Sequence, residues 1–363
     1  GGALAEAPEW AARAGGAPST VSLDVDEGGW VLDNGVLRLH VDRRGLVDSL
    51  VDAVRQREAV PAGEVLGALA LHRVLALFGQ GDGVEVGVDD GDGSAWVRVH
   101  RSDGASTYVQ VLRLGVGEPR VEFTTEVEWH ERHKLLKLEL PVAVHTDHAQ
   151  SDIQFGHVDR AIHENTSWDW ARFETVGLRW VRVAEPGFGV VVANDQTYGH
   201  SFVREHGAEG VSVRIGESLL RSPMAPDPDA DQGHHVLHTS LVVGADVRAA
   251  DREGIRLNVP VRHLLGDHTV TPLVSVEEGE VLLDAVKMAD DGSGDLVVRL
   301  HENLGGRTRA VLRIDAPATG VVMVDGLERT LGSAPLVIDD AGRVVVEMKP
   351  FQLVTLRVRG TWA

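Results

Sequence analysis

A strict alternation of apolar and polar residues is the feature that most constrains the fold of this chain. In Arg120–Trp129 (RVEFTTEVEW), every second residue from Val121 to Trp129 is apolar or Thr, and the residues between them are Glu or Thr. A period of two predicts a β-strand with one buried face. The pattern recurs at 36–42, 95–101 and 107–114, with Gly and Asp turns between the segments. Together the segments predict an antiparallel all-β sandwich with few helices.

Composition limits the classes of function that the chain can have. The sequence has 363 residues, of which 43% are hydrophobic, and this supports a large core and two domains. The net charge of −20 argues against nucleic acid or an anionic membrane as a partner. Cysteine is absent, which excludes disulfides and thiolate zinc sites. No signal peptide is visible, and we expect a cytoplasmic protein.

The β pattern changes along the chain in a way that predicts three regions. Residues 1–29 are interpreted as a linker or as the tail of a preceding helical domain. Residues 30–270 are predicted to form a large β domain. After a change of character at 243–270, a second series of short alternating segments predicts a smaller C-terminal β-sandwich at 271–363.

The segment 152–198 is unusually dense in rings and charges, because it holds three of the eight tryptophans. Aromatic faces stack on the apolar face of a sugar, and fixed polar groups bind its hydroxyls. A loop at 165–174 is therefore the best candidate for a carbohydrate site. The alternative is a structural loop that faces another domain. The candidate residues in and near this loop are Arg160, Asn165, Trp168, Asp169, Arg172 and Glu174.

Histidine pairs and an acidic loop raise the question of a metal site. His130 and His133, like His234 and His238, have spacings that zinc ligands use on helices. Here they fall on predicted strands or loops, where such spacings do not reliably converge. The acidic segment 226–233 (PDPDADQG) is interpreted as a solvated loop rather than a cation site. The sequence therefore predicts no metal in this chain.

Several segments, in order along the chain, resemble the C-terminal β region of family 38 glycoside hydrolases, the α-mannosidases. The matching segments are 31–42 (VLDNGVLRLHVD), 126–140 (EVEWHERHKLLKLEL), 153–174 (IQFGHVDRAIHENTSWDWARFE), 198–200 (YGH), 219–233 (LLRSPMAPDPDADQG), 294–306 (GDLVVRLHENLGG) and 350–357 (PFQLVTLR). The resemblance implies an all-β fold in which a large antiparallel supersandwich, similar to galactose mutarotase, precedes a smaller C-terminal β-sandwich. One departure is 67–81, which lacks the Asp- and Trp-rich segment usual in bacterial members.

The same resemblance implies what the whole enzymes do. They carry an N-terminal catalytic domain, with a zinc ion and an Asp nucleophile, that performs retaining hydrolysis of α-mannosides through a covalent intermediate. No part of that domain is recognisable in this chain, so zinc is expected only in the missing catalytic domain. The expected partners are that domain and mannosides or other oligosaccharides, and a homo-oligomer remains open. By resemblance, Arg221 is a residue that reaches toward the catalytic site.

Two other functions remain open at this stage. A free-standing carbohydrate-binding module would use the same 165–174 loop by itself. A mutarotase-like epimerase would need a His acid and a Glu base in one cleft, for which His157, His163 and Glu174 are the candidates. The first interpretation, the β region of an α-mannosidase that supports its catalytic domain, is preferred.

Overall fold

The computed structural model describes residues 19–72, 76–77, 83–207, 210–262, 265–267, 271–332 and 334–360. Strands account for 56% of the described residues and helices for 5%, which confirms the predicted all-β class. The described residues divide into two compact units. The larger unit contains 19–152 and 159–260, and the smaller unit contains 261–360 together with the hairpin tip 153–158.

Twenty strands and two helices come first along the described chain. They are β1 Ser22–Val25, β2 Gly29–Asp33, β3 Leu37–Asp42, β4 Val47–Asp52, β5 Arg57–Glu58, β6 Ala68–His72, β7 Ala76–Leu77, β8 Gly83–Val88, β9 Ala95–Asp103, β10 Ser106–Leu114, β11 Arg120–Trp129, β12 Leu135–Val142, β13 His148–Ile153, β14 Gly156–Ala161, α1 Ser167–Trp170, β15 Thr175–Val176, β16 Trp180–Glu185, β17 Phe188–Asn194, β18 Gly199–Gly207, β19 Gly210–Arg221, β20 Gly233–Val243 and α2 Val247–Asn258.

Three antiparallel sheets build the larger unit. A five-stranded sheet runs in the order β1-β2-β3-β4-β5, a nine-stranded sheet in the order β14-β13-β16-β17-β20-β11-β10-β9-β8, and a six-stranded sheet in the order β15-β18-β19-β12-β6-β7. All three contribute to one apolar core, with Leu39 from the first, Val121 from the second and Leu138 from the third among its fully buried members. The divergent segment 67–81 supplies β6 and β7, while 73–75 and 78–81 lie outside the described residues.

The alternation in β11 produces the burial that it predicts. Val121, Phe123, Val127 and Trp129 are each at most 2% exposed, whereas Glu126 lies on the opposite, solvated face. Successive side chains along a strand point to opposite faces of the sheet, so one face of β11 packs in the core. This strand pairs with β10 on one side and with β20 on the other, and therefore lies inside the nine-stranded sheet.

Helix α2 covers part of the nine-stranded sheet, and the sequence pattern did not predict it. Its N-cap is Asp246, whose carboxylate accepts the amide of Ala249 at 2.9 Å. The buried face consists of Ala250, Asp251, Glu253 and Gly254. Gly254 permits a close approach to the sheet, since a Cβ at this position would lie 3.0 Å from the Trp180 ring. Two of these four buried residues are small and two carry carboxylates, so apolar residues alone do not mark the contact face, and the sequence pattern did not reveal the helix.

The smaller unit has its own core. Its strands are β21 Val274–Glu278, β22 Val281–Met288, β23 Leu296–Glu302, β24 Thr308–Ile314, β25 Ala318–Val324, β26 Arg343–Met348 and β27 Leu353–Gly360. They form a three-stranded sheet, β21-β24-β26, and a four-stranded sheet, β22-β23-β27-β25. Side chains from both sheets, including Val298, Leu312 and Leu356, are fully buried together. The predicted C-terminal β-sandwich is therefore present in this part of the chain.

Truncation of a core side chain in the larger unit tests this packing. Leu140→Ala removes a fully buried side chain from β12, and we expect the free energy of unfolding to fall by about 2–5 kcal/mol. Urea unfolding measures it. Glu126→Ala, on the solvated face of β11, serves as the control, with an expected change within about 0.5 kcal/mol. Equal losses in the two variants would contradict the assignment of faces.

Candidate functional site

The 165–174 loop is built around a single helical turn that a capping box closes. Thr166 is the N-cap of α1: its backbone N–H donates to the Asp169 carboxylate at 3.0 Å, and the Asp169 N–H donates to the Thr166 hydroxyl at 3.2 Å. The hydroxyl and backbone of Thr166 hold the pKa of Asp169 below its ordinary value. Asp169 therefore shapes the loop, and its carboxylate is already engaged with the cap.

The same turn presents aromatic rings to solvent. Trp168 is 88% exposed, Trp170 67% and Phe173 72%, and Tyr198 elsewhere in the larger unit is 58% exposed. Trp170 and Phe173 meet edge to face with their ring centroids 6.1 Å apart. Trp180, by contrast, is fully buried, and its indole N–H donates to Asp251 of α2 at 2.9 Å. Two of the three tryptophans in the 152–198 segment are thus available to a partner, and one belongs to the core.

Beside the turn is a small hollow, whose walls include Ile162, His163, Asp169, Arg172, Glu174 and His200. Its volume of about 20 Å³ is room for one or two water molecules and far too small for a hexose. Arg172 and His163 both lie 3.5 Å from the Asp169 carboxylate. The structure therefore brings Asp169, Arg172 and Glu174 together as the sequence predicts, but around a space that cannot enclose a sugar.

Glu174, the last residue of the loop, is attached to the six-stranded sheet. Its carboxylate is 2.7 Å from the ammonium of Lys137, a side chain that is only 4% exposed. Lys137 also donates to the Ser201 hydroxyl at 2.8 Å, and the Ser218 hydroxyl donates to Glu174 in a short bond. Burial favours a higher pKa for Glu174, but the bonds to Lys137 and Ser218 outweigh burial and hold the pKa below its ordinary value. Glu174 is therefore ionised and paired.

Two titratable groups are buried in adjacent strands near the loop. His200 in β18 and Glu217 in β19 are register partners, and both are at most 1% exposed. Burial lowers the pKa of His200 to about 4, against the raising effect of the Tyr198 backbone carbonyl. Among the described residues, neither ring nitrogen of His200 has a partner of normal hydrogen-bond geometry. His200 is therefore an uncharged imidazole at neutral pH.

The pKa of Glu217 is shifted in the opposite direction to that of His200. Burial raises its pKa to about 8, although the hydroxyls of Thr239, at 2.7 Å, and Thr197, at 3.1 Å, favour the carboxylate. The carboxyl group is therefore protonated at neutral pH. Lys137, His200 and Glu217 were not among the predicted residues, although His200 lies in the 198–200 segment that carries the resemblance. Lys137 breaks the apolar run LLKLEL at 135–140, and that break was the available signal.

The remaining predicted residues lie outside the hollow. Asn165 is exposed, and Arg160 on β14 is half-buried with no hydrogen-bond partner for its Nε among the described residues. Arg221 ends β19, the strand that carries Ser218, and its backbone N–H donates to Asp231 at 2.7 Å. Neither arginine belongs to the wall of the hollow. They are accordingly not part of the Asp169, Arg172 and Glu174 cluster.

His234 and His238, whose spacing resembles that of zinc ligands, each contact a carboxylate. His234 contacts Glu128 at 2.8 Å across the β11–β20 pair, and His238 contacts Asp195 at 2.7 Å. Within the ranges that the structure describes, no three His, Asp or Glu side chains are grouped to hold a metal ion. In the same ranges, no helix is long and apolar enough to cross a membrane.

Comparison with known proteins defines the class. The model described as the glycosyl hydrolases family 38 C-terminal domain matches residues 32–229, and the family 38 C-terminal beta sandwich domain matches residues 280–356. The chain therefore belongs to glycosyl hydrolase family 38, as a C-terminal β region of that family. This confirms the resemblance carried by the sequence segments.

Individual relatives agree with this assignment. The chain is 35% identical to human Alpha-mannosidase 2C1 over 91% of its own length, and 29% identical to Alpha-mannosidase G of Dictyostelium discoideum over 95%. It spans about a third (34%) of the length of each of these curated relatives. A crystal structure of an alpha-mannosidase from Enterococcus faecalis V583 has the same fold, with a TM-score of 0.68 at 14% identity, covering 91% of this chain and 42% of that one.

The buried Glu217 predicts a pH dependence of stability. Between its ordinary pKa of 4.5 and the folded value of about 8, the native state keeps a proton that the unfolded state has lost. This group therefore makes stability fall as pH rises through that window, by up to about 1.4 kcal/mol per pH unit. Glu217→Gln keeps a neutral, hydrogen-bonding side chain and removes the proton.

Urea unfolding at pH 5, 6.5 and 8 measures the effect. We expect the variant to gain stability relative to the wild-type protein as the pH rises, and the exposed Glu126→Gln to follow the wild-type curve. Parallel curves for wild-type and Glu217→Gln would show that Glu217 is ionised in the folded protein.

Proposed function

We propose that this chain is the non-catalytic β region of an α-mannosidase, and that the 165–174 loop forms one wall of a sugar site completed by a catalytic domain. The observation that carries the proposal is that Trp168 and Trp170 are exposed on a loop beside a hollow that has room only for water. Exposed indole rings that are grouped at one place on a protein surface indicate a contact site. A wall of rings without an enclosed cavity suits half of a pocket.

The chemistry of hydrolysis is assigned to the other domain. Retaining hydrolysis of α-mannosides requires a nucleophilic carboxylate and an acid on opposite sides of the glycosidic bond. In the 165–174 loop, Asp169 caps a helix and Glu174 is paired with Lys137, so neither carboxylate is free for that work. We place the nucleophile and the zinc ion in the catalytic domain, and the whole enzyme in the cytoplasm.

A free-standing carbohydrate-binding module is the second candidate. The exposed Trp168, Trp170 and Phe173 favour it, since open platforms of rings stack on sugars without an enclosing cavity. Titration calorimetry of the chain with mannose and oligomannose at millimolar concentration separates the two functions. Heat of binding supports the module, and its absence supports a site that needs the second domain.

An epimerase has less support from the same residues. His163 and Glu174 do line one hollow, but its volume of about 20 Å³ leaves no space for a hexose. His157 belongs to the smaller unit, where its Nδ1 lies 3.2 Å from the backbone carbonyl of Asn303. His163 and Glu174, the candidate acid and base within the larger unit, therefore do not flank a space that could hold a sugar ring.

Activity measurements test the preferred function. We expect the purified chain to show no turnover of 4-nitrophenyl α-mannoside, and the product of the whole reading frame to hydrolyse it. Turnover by the chain alone, abolished by substitution of a residue within it, would refute the assignment of catalysis to another domain.

The sugar wall predicts a specific loss in the whole enzyme. Trp168→Ala removes an exposed ring, and we expect KM for the mannoside to rise by about tenfold because the stacking contribution is lost. Trp96→Ala, which removes a half-buried indole from β9 of the nine-stranded sheet, is the matched control and leaves KM unchanged. An unchanged KM in Trp168→Ala assigns this ring to a protein contact instead.

A further inference from the structure

The α1 turn presents its rings without any apolar attachment of its own. None of the four residues Ser167–Trp170 is buried. A single exposed turn is marginal by itself, because helix stability in proteins comes mainly from packing of an apolar face. The placement of Trp168 and Trp170 therefore depends on how the two ends of the loop are attached.

The end before the turn is anchored in the conventional way. Ile162 is 6% exposed, packs in the core of the larger unit, and donates its backbone N–H to the Asp147 carbonyl at 2.8 Å. The end after the turn has only the two-residue strand β15, paired with β18 at the edge of the six-stranded sheet. Between that strand and the turn, the carboxylate of Glu174 binds the sheet through Lys137 and Ser218.

Lys137 is the buried half of this contact. It lies on β12, directly opposite Ser218 of β19, so that both side chains meet Glu174 from neighbouring strands. An ammonium group that is 4% exposed is strongly disfavoured without an opposite charge. Ser201 supplies a second acceptor for Lys137 but no charge. Among the described residues, Lys137 makes its ion pair with Glu174, and this pair holds the end of the loop at the sheet.

We propose that Lys137 is a positioning residue, which fixes the Trp168 and Trp170 rings in the orientation that a saccharide meets. The inference rests on the proposed function for its biological meaning, but the attachment itself can be tested without sugar. Lys137 acts on the loop through Glu174. Its conservative replacement by Arg retains the charge, and its replacement by Met retains length and removes the charge.

Hydrogen exchange of the chain, with millisecond labelling and mass spectrometry over residues 166–177, tests the attachment. In Lys137→Met we expect exchange in this segment to accelerate by about tenfold or more, the effect of losing a charge-assisted hydrogen bond. Lys137→Arg restores slow exchange. Lys134→Met is the matched control, because Lys134 is also paired, with Glu131 at 2.6 Å and Asp103 at 3.0 Å, but has no contact with the loop.

A second variant keeps the test decisive if Lys137→Met does not fold. Glu174→Gln removes the same charge pair from its more exposed end, 36% exposed in the side chain, and we expect the same local acceleration. Exchange in 166–177 that stays within about twofold of the wild-type rate, or that rises equally in Lys134→Met, would overturn the positioning role, since a charge-assisted bond is worth more than that.

Kinetics of the whole enzyme separate this inference from the proposed function. If both hold, Lys137→Met raises KM for the mannoside as Trp168→Ala does, and Lys137→Arg restores it. Faster exchange in 166–177 with unchanged KM in Lys137→Met and Trp168→Ala would retain the anchor and reject the sugar wall. If exchange in 166–177 is unchanged in Lys137→Met and KM rises only in Trp168→Ala, the sugar-binding role of the loop would be retained and the positioning role of Lys137 rejected.

Discussion

The apolar core shared by the three sheets of the larger unit is the constraint on which the rest of its structure depends. Strands from all three sheets contribute to that core, and a polar side chain that is buried must be neutral or paired. In the core, Glu217 keeps its proton and His200 stays uncharged. Lys137 lies on the opposite face of β12 from the core residues Leu136 and Leu138, where it is paired with the carboxylate of Glu174. The ion pair between Lys137 and Glu174 is the one of these arrangements that affects the protein surface.

The effect is the fixed position of the 165–174 loop. The carboxylate that neutralises Lys137 belongs to Glu174, the last residue of the loop. The capping box between Thr166 and Asp169 gives the loop its shape. Two tryptophans are thereby left in solvent beside a hollow of about 20 Å³. A buried charge in a β-sheet and an exposed aromatic surface are thus connected by one ion pair. This connection links the face of the six-stranded sheet opposite the core to the surface that we assign to carbohydrate.

The accuracy of sequence-based prediction followed the strength of the local pattern. The alternation in β11 predicted which of its side chains are buried, because period-two burial depends on nearest neighbours along one strand. Helix α2 escaped prediction because its contact face is Ala250, Asp251, Glu253 and Gly254. Lys137 escaped because its partner Glu174 is remote in sequence, so the break in the apolar run LLKLEL did not identify the pair. The sequence did identify Asp169, Arg172 and Glu174 as neighbours, since they lie within six residues.

The amino-acid sequence by itself determined the all-β class, the family, and the concentration of rings and charges at 165–174. These properties are local or are carried by ordered segments, so they can be recognised without knowing which strands pair. Only the tertiary structure decided that Trp168 and Trp170 are exposed while Trp180 is buried, and that Glu174 meets Lys137. The physical reason is that burial and charge pairing depend on contacts between strands far apart in the chain, which no local pattern records.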